Sequence, residues 1–266
     1  MIAHLDDRVV LTVSGEGARE FLNGLVTSDV AALAPETPVW TALLSAQGKY
    51  VADMMLFDGG AAGIFVDVHR ERADDLARKL KLYRLRRPID ITPSRLHVFA
   101  GWKLRDLPRP HDPRHAALGH RWLAAGGSVD ATAADWHAHR IALGIPDTPD
   151  FVVDGTMWLE TNAAELAGVS FSKGCFVGQE NTARMNWRAK VSRRLLPVAI
   201  DGDPGGERRI MAGNREAGEL RSVAGARGIA LIRLDHVDAP LTAGPAAVRI
   251  AWPDWLPRAT VEKREG

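Results

Sequence analysis

Apolar positions along the chain switch repeatedly between short continuous runs and stretches with a period of 3.6. Residues 9–13 form a β-branched run that stops at Ser14-Gly15, which reads as a strand with Ser14 placed to cap the segment that follows. In that segment Ala18, Phe21, Leu22 and Leu25 share one face, which predicts a helix packed on a sheet. Three further apolar runs, 39–44, 51–57 and 64–68, are separated by Ala46-Gln47-Gly48 and Asp58-Gly59-Gly60. Such turn signals between runs predict successive strands of an antiparallel meander. Residues 71–85 put Ala73, Leu76, Ala77 and Leu80 on one side and gather Lys and Arg toward the end, where positive charge suits the helix dipole.

Residues 89–102 read as strand, and the proline-rich 107–119 as a surface loop. A second helix is predicted over 133–143, stopped by Gly144-Ile145-Pro146: Gly accepts the left-handed C-cap and Pro cannot continue the ladder. Beyond Arg193 the pattern breaks into short Gly, Val and Ile runs at 218–223, 228–234 and 246–252, which predicts a small all-β lobe. These periods place the chain in the α+β class, with antiparallel sheets and packed helices. A boundary near residue 195 divides it into 1–194, itself two sub-lobes of 1–90 and 91–194, and a C-terminal lobe of 195–266.

Composition narrows the partners. Lys plus Arg total 34 against 33 for Asp plus Glu, so no global charge drives the chain to nucleic acid or anionic membrane, and any attraction must come from local patches. No run approaches the ~18 apolar residues of a membrane span. One cysteine excludes an intramolecular disulfide, a CxxC redox pair and a cysteine-only metal cage. With no secretory pattern at the start, a cytoplasmic location is expected. His111, His115 and His120 match no familiar ligand spacing, so no metal site is expected. Trp252 and Trp255, among prolines, are expected to close the core of the β lobe.

The chemistry concentrates in 171–187. Here the only cysteine, Cys175, has Lys173 two residues before it, and Gly174 and Gly178 around it. A free thiol titrates near ~8.5, and a neighbouring cation or helix N-terminus favours the thiolate. The glycines permit tight turns that leave main-chain N–H groups free to donate, and Gln179 and Glu180 add a polar pair. The plainer reading is a buried cysteine acting as a small hydrophobe. Arg184, Arg188, Lys190, Arg193 and Arg194 follow, with no acid between Asn181 and Ile200. A period-two face and a helical start through Ala183 both fit this basic stretch, and the periodicity does not decide.

Leu159-Glu160-Thr161-Asn162, then Ser170-Phe171-Ser172-Lys173-Gly174-Cys175-Phe176-Val177-Gly178-Gln179-Glu180 and Thr182-Ala183-Arg184-Met185, resemble the signature of the YgfZ-type family, Lys-Gly-Cys-Tyr-x-Gly-Gln-Glu. The likeness continues through Phe21-Leu22-Asn23-Gly24, Thr27-Ser28-Asp29, Gln47-Gly48-Lys49 to Asp53, and residues 83–87, and covers most of the first 195 residues. It implies a glycine cleavage T-protein-like, folate-binding fold with a small C-terminal β-barrel lobe, and tetrahydrofolate or a one-carbon derivative as cofactor. The implied role is assembly, repair or maintenance of iron–sulfur enzymes, including tRNA-modifying radical enzymes. Iron–sulfur enzymes or cluster-assembly proteins are the implied transient partners, with no membrane partner. A related mitochondrial assembly factor shares the signature, but no Arg- and Ser-rich segment precedes the first strand, and a bacterial cytoplasmic protein is expected. By this resemblance Cys175, Lys173 and Asp53 are the expected catalytic residues. Asp53, Glu160, Asn162, Gly178, Gln179 and Arg184 are expected to bind the cofactor.

Several positions depart from the family pattern. Phe176 replaces the usual Tyr, keeping a ring without its hydroxyl. In Arg140-Ile141-Ala142-Leu143-Gly144-Ile145-Pro146, Ala142 stands where T-proteins carry an acid that helps hold the pterin. Trp158 stands where a proline is usual, and Ala52 takes the other place of the acidic pair of which Asp53 is the member present. The loss of that acid weakens a second reading, a folate-dependent aminomethyl or methyl transferase. A third reading is an RNA-binding module, in which the basic stretch meets phosphates instead of a folate's glutamate tail.

Overall fold

The computed structural model describes residues 1–104, 107–187, 191–256 and 258. The chain opens with β1 (Ile2–His4), β2 (Arg8–Ser14) and α1 (Ala18–Asn23). The predicted meander follows as β3 (Val39–Leu44), β4 (Tyr50–Asp58) and β5 (Ile64–His69), then α2 (Arg70–Tyr83), β6 (Asp90–Pro93) and β7 (His97–Gly101). Next come β8 (His120–Ala124), α3 (Ala133–Ala142) and α4 (Gln179–Trp187). The last strands are β9 (Arg193–Asp201), β10 (Arg209–Ala212), β11 (Arg215–Ala224), β12 (Arg227–Arg233), β13 (Leu241–Ala243) and β14 (Ala246–Ile250).

Three sheets result: β3-β4-β5-β2-β6, the smaller β1-β7-β8, and a closed barrel in the order β10-β11-β12-β9-β14-β13. Every strand pairing is antiparallel. The barrel leaves no open edge, which is how a short β lobe avoids pairing with other chains. Leu196, Val198, Ile200, Ile210, Leu220 and Ile232 fill it, and Trp252 and Trp255 pack against that core as expected.

Two local expectations are corrected. Ser14 does not cap α1: it ends β2, paired with Asp90 of β6. Gly17, at φ 75°, enters the helix instead, and it has no side-chain cap. The 89–102 segment is two strands in different sheets, because the chain turns at Ser94, whose N–H donates to Val10 O at 2.8 Å. Nor is 107–119 only a surface loop, since Asp112 and Arg114 are buried in it. The predicted helix over 133–143 and its stop are found, with Gly144 at φ 74°. There an added Cβ would lie 2.7 Å from Pro197, so the site excludes a side chain by space as well as by conformation.

Candidate functional site

The signature segment is a loop fastened at several points that leaves the Cys175 side chain exposed. Thr27 Oγ1 donates to Gly168 O at 2.7 Å, Ser170 N–H donates to Thr27 O at 3.0 Å, and Ser28 Oγ donates to Trp40 O at 2.7 Å. Lys173 completes the cradle. Its ammonium donates to the carbonyls of Asn23, Val26 and Ser28 at 2.6, 2.7 and 3.0 Å and lies 5.4 Å from the Phe176 ring centroid. Burial pushes that ammonium down to about 8, against the opposing pull of Asp29. All three ammonium donors are therefore spent on the end of α1 and the loop after it, and Lys173 acts as a clamp.

Phe176 is the other anchor, buried in the core that contains Trp40, Tyr50, Phe151 and Trp158. Gln179 Oε1 accepts from Phe176 N–H at 3.3 Å at the start of α4. Gly178, at φ 81°, lies so close to the β3–β4 turn that a Cβ there would be 2.5 Å from Ser45 O. Asn181 Nδ2 donates to Gln47 O at 2.6 Å on the same turn. Between these anchors Cys175 is exposed, which excludes the reading of a buried hydrophobe. Residues 179–187 are helical, which resolves the ambiguous period, and Arg184 is exposed on that helix. Arg188 and Lys190 lie outside the described residues.

Asp53 sits on β4 under opposite conditions. It is 1% exposed, and its carboxylate accepts from Thr148 Oγ1 at 2.7 Å, Tyr50 Oη at 3.0 Å and Trp40 Nε1 at 3.2 Å. Burial and the Asp53 charge together raise the Tyr50 phenol well above its ordinary value, so Tyr50 stays a donor. The centroids of Trp40 and Trp158 are 4.9 Å apart, and Tyr50 and Phe151 pack beside them. Trp158, the departure from proline, thus fills the core beside the carboxylate and donates Nε1–H to Gly168 O at 2.9 Å.

A buried ionic network adjoins this centre. Asp67 of β5 pairs with Arg8 and, at 2.7 Å, with Arg121. Asp147 pairs with Arg114 at 2.9 Å and Arg8 at 3.4 Å, Arg114 with Asp112 at 2.8 Å, and Arg140 with Asp150 at 2.6 Å. Burial alone would raise the Asp147 carboxyl. The guanidiniums of Arg114 and Arg8 overcome it and hold the group well below its ordinary 3.8. Sequence reading missed this network. Its one local trace was Asp67, a charge inside the apolar 64–68 run.

The remaining expected site residues lie elsewhere. Glu160 accepts from Arg193 Nε at 2.9 Å and Met157 N–H at 3.0 Å. Asn162, left-handed at φ 63° and fully buried, donates to Leu195 O at 2.7 Å and accepts from Arg194 at 2.8 Å. Both side chains are engaged in fastening the barrel strand β9 to the body, an arrangement that leaves them facing protein. Ala142 is exposed at the end of α3, its carbonyl accepting from Arg227 Nη1 at 3.0 Å, in a crevice against the barrel.

A cavity of about 670 Å³ borders the Asp53 centre from outside. His69, Glu71, Arg72, Thr148, Pro149, Phe151, Val152 and Val153 line it, so Thr148 touches Asp53 and the cavity wall alike. Its wall carries one cation, Arg72, paired with Glu71 at 3.6 Å, and an imidazole, His69, above an apolar floor of Pro149, Phe151, Val152 and Val153.

Comparisons with known proteins agree on the fold. The CAF17 C-terminal beta-barrel domain matches residues 193–258. The mitochondrial iron-sulfur cluster assembly factor IBA57 of Mus musculus is 29% identical, across 96% of this chain and 85% of that protein. Its Homo sapiens counterpart is also 29% identical, across 97% and 85%. The homolog from Neurospora crassa is 28% identical across 75% and 53%. Glycine cleavage system aminomethyltransferase T from Bartonella henselae superposes with a TM-score of 0.71 at 13% identity, across 96% of this chain and 86% of that one. The homologues are therefore IBA57 iron–sulfur assembly factors, the fold is that of T protein as the resemblance implied, and the barrel is of the CAF17 type. The expected cytoplasmic location is overturned, because these relatives are mitochondrial proteins. A low cysteine count excludes a disulfide framework without distinguishing one reducing compartment from another.

Proposed function

We propose that this chain works in iron–sulfur cluster assembly, with the Cys175 loop as its working surface. The observation that carries the reading is a lone exposed thiol held between a buried ring and a triply bonded lysine. Iron–sulfur clusters are held by several thiolates, and this chain has one. Among the described residues no set of three or more His, Cys, Asp or Glu side chains comes together to hold a metal ion. The thiol would therefore supply one ligand or one contact to a cluster carried by a partner, either an assembly protein or a client enzyme. Lys173, Gly178 and Gln179 position the loop. Residues 1–194 would carry the thiol and the cavity, and residues 195–266 would brace them through Leu195, whose carbonyl accepts from Asn162.

The finer reading adds tetrahydrofolate or a one-carbon derivative. At Asp53 the donors do not fit it, since the carboxylate is enclosed and already accepts three hydrogen bonds. The cavity outside Thr148 fits better, with Phe151 and Val152 beside the ring and Arg72 meeting the acidic tail once it exchanges Glu71, its present partner at 3.6 Å, for it. When bound, the folate would supply one-carbon chemistry, and these residues would bind and orient it. The clients in this reading include tRNA-modifying radical enzymes.

The test is rescue of cells lacking the protein, read as the activity of a radical iron–sulfur tRNA-modifying enzyme. Rescue by the wild type and none by Cys175→Ser is the expected result, and equal rescue by both would discard the thiol role. Titration with 5-formyltetrahydrofolate tests the cavity separately. Binding weakened in Arg72→Ala is expected, and binding unchanged in that variant would remove the folate from this cavity.

A further inference from the structure

The end of α2 carries apolar exposure that the fold does not use. Leu82 is 72% exposed, Leu85 82% and Tyr83 40%, all within four residues. Leu85 also adopts a left-handed backbone, φ 52°, a conformation that costs a non-glycine residue about 1 kcal/mol and here gains no packing. The turn is held in this shape. Leu85 N–H and Arg84 N–H donate to Leu82 O and Leu80 O, Arg84 Nη1 donates to Ile89 O at 2.5 Å, and the Arg87 guanidinium lies 6.0 Å from the Phe21 ring centroid. A strained, rigid turn that points two leucines at water has a use outside the monomer.

The surrounding charge says what that use is. Arg78, Lys79, Lys81, Arg84, Arg86 and Arg87 fall between Asp75 and Asp90 with no acid among them, on a chain whose overall formal charge is only +1. Lys81 and Arg86 are exposed on either side of the leucines. Apolar tips flanked by cations match the boundary of an anionic bilayer, where leucine enters the acyl region and Lys and Arg meet phosphates. A nucleic acid would meet the cations and leave the leucines in water. No helix among the described residues is long and apolar enough to cross a membrane, so the contact is peripheral. We infer that the turn at residues 79–87 docks this protein on the surface of an anionic phospholipid membrane, and this revises the expectation of no membrane partner.

Co-sedimentation of the full chain with vesicles tests the inference, using phosphatidylcholine alone and phosphatidylcholine mixed with phosphatidylglycerol. Binding is expected only to the mixed vesicles and should fall as salt is raised. Leu85→Ser should weaken it about tenfold, and Lys81→Ala and Arg86→Ala about fivefold each, with an unchanged Tm in every variant. Absence of binding to the mixed vesicles would overturn the proposal. So would binding that follows the cations and ignores Leu82→Ser and Leu85→Ser, and transfer of that same pattern to RNA would make the patch a nucleic-acid site instead.

Discussion

Cys175 and Asp53 adjoin the same aromatic core, the one through its neighbour Phe176 and the other through its donors. Phe176, next in sequence to the thiol, enters the core that holds Trp40 and Tyr50, two of the donors to Asp53. Yet the thiol is exposed and the carboxylate is 1% exposed with three donors. The loop is fixed by its backbone and by Lys173, which leaves the Cys175 side chain available to a partner. The centre is fixed by side chains that saturate one another, which leaves Asp53 unavailable without rearrangement. Rigidity serves presentation in the first region and closure in the second.

The comparison breaks most violently in the buried network. Arg114→Met leaves Asp112 and Asp147 without their shared guanidinium, and loss of one partner from a buried ion pair costs about 3–5 kcal/mol. Urea unfolding should show a loss of that size. The pH dependence has a definite sign. Asp147 is held below its ordinary 3.8, so its contribution is complete above that value and disappears as pH falls below it toward the folded-state value. The acid limb of wild-type stability should therefore be steep, and that of Arg114→Met shallower.

A smaller effect is expected at the clamp. Lys173→Met leaves the carbonyls of Asn23, Val26 and Ser28 without their shared donor, which costs about 1–3 kcal/mol. Amide hydrogen exchange over residues 171–176 should accelerate about tenfold or more, while exchange in β4 stays slow. Burial lowers the Lys173 ammonium to about 8 from its ordinary 10.5, so the folded chain binds fewer protons than the unfolded chain between those values. Wild-type stability should rise across that window, and this rise should be absent from Lys173→Met. Equal exchange in the two proteins would remove Lys173 from the role of clamp.

How far each region could be read in the sequence follows from how its parts are spaced. The loop was legible because Lys173, Cys175, Phe176, Gly178 and Gln179 lie within seven positions, and its cradle matched a second short motif at 21–29. The meander and α2 were legible because their periods are clean, as at Ala73, Leu76 and Leu80. The centre was not. Trp40, Tyr50 and Thr148 meet at Asp53, and Arg8, Asp67, Asp112, Arg114, Arg121 and Asp147 meet beside it, from segments whose meeting no local period encodes. The same limit explains why Glu160 and Asn162 looked like ligand residues: their partner, β9, begins more than thirty positions away.

The smallest effect on stability is expected where the largest effect on function is expected. Cys175→Ala removes one exposed sulfur and should stay within about 0.5 kcal/mol of the wild type in urea unfolding. Phe176→Tyr places a hydroxyl on a ring that is 7% exposed, and an unpaired buried hydroxyl costs about 1–3 kcal/mol. If stability governed function, Phe176→Tyr would rescue deficient cells less well than Cys175→Ala. If presentation of the thiol governs it, the order reverses, because the tyrosine ring still anchors the loop while the alanine leaves it nothing to present. Reversal is the expected outcome, and measuring unfolding and rescue on the same two variants separates the anchor from the group it anchors.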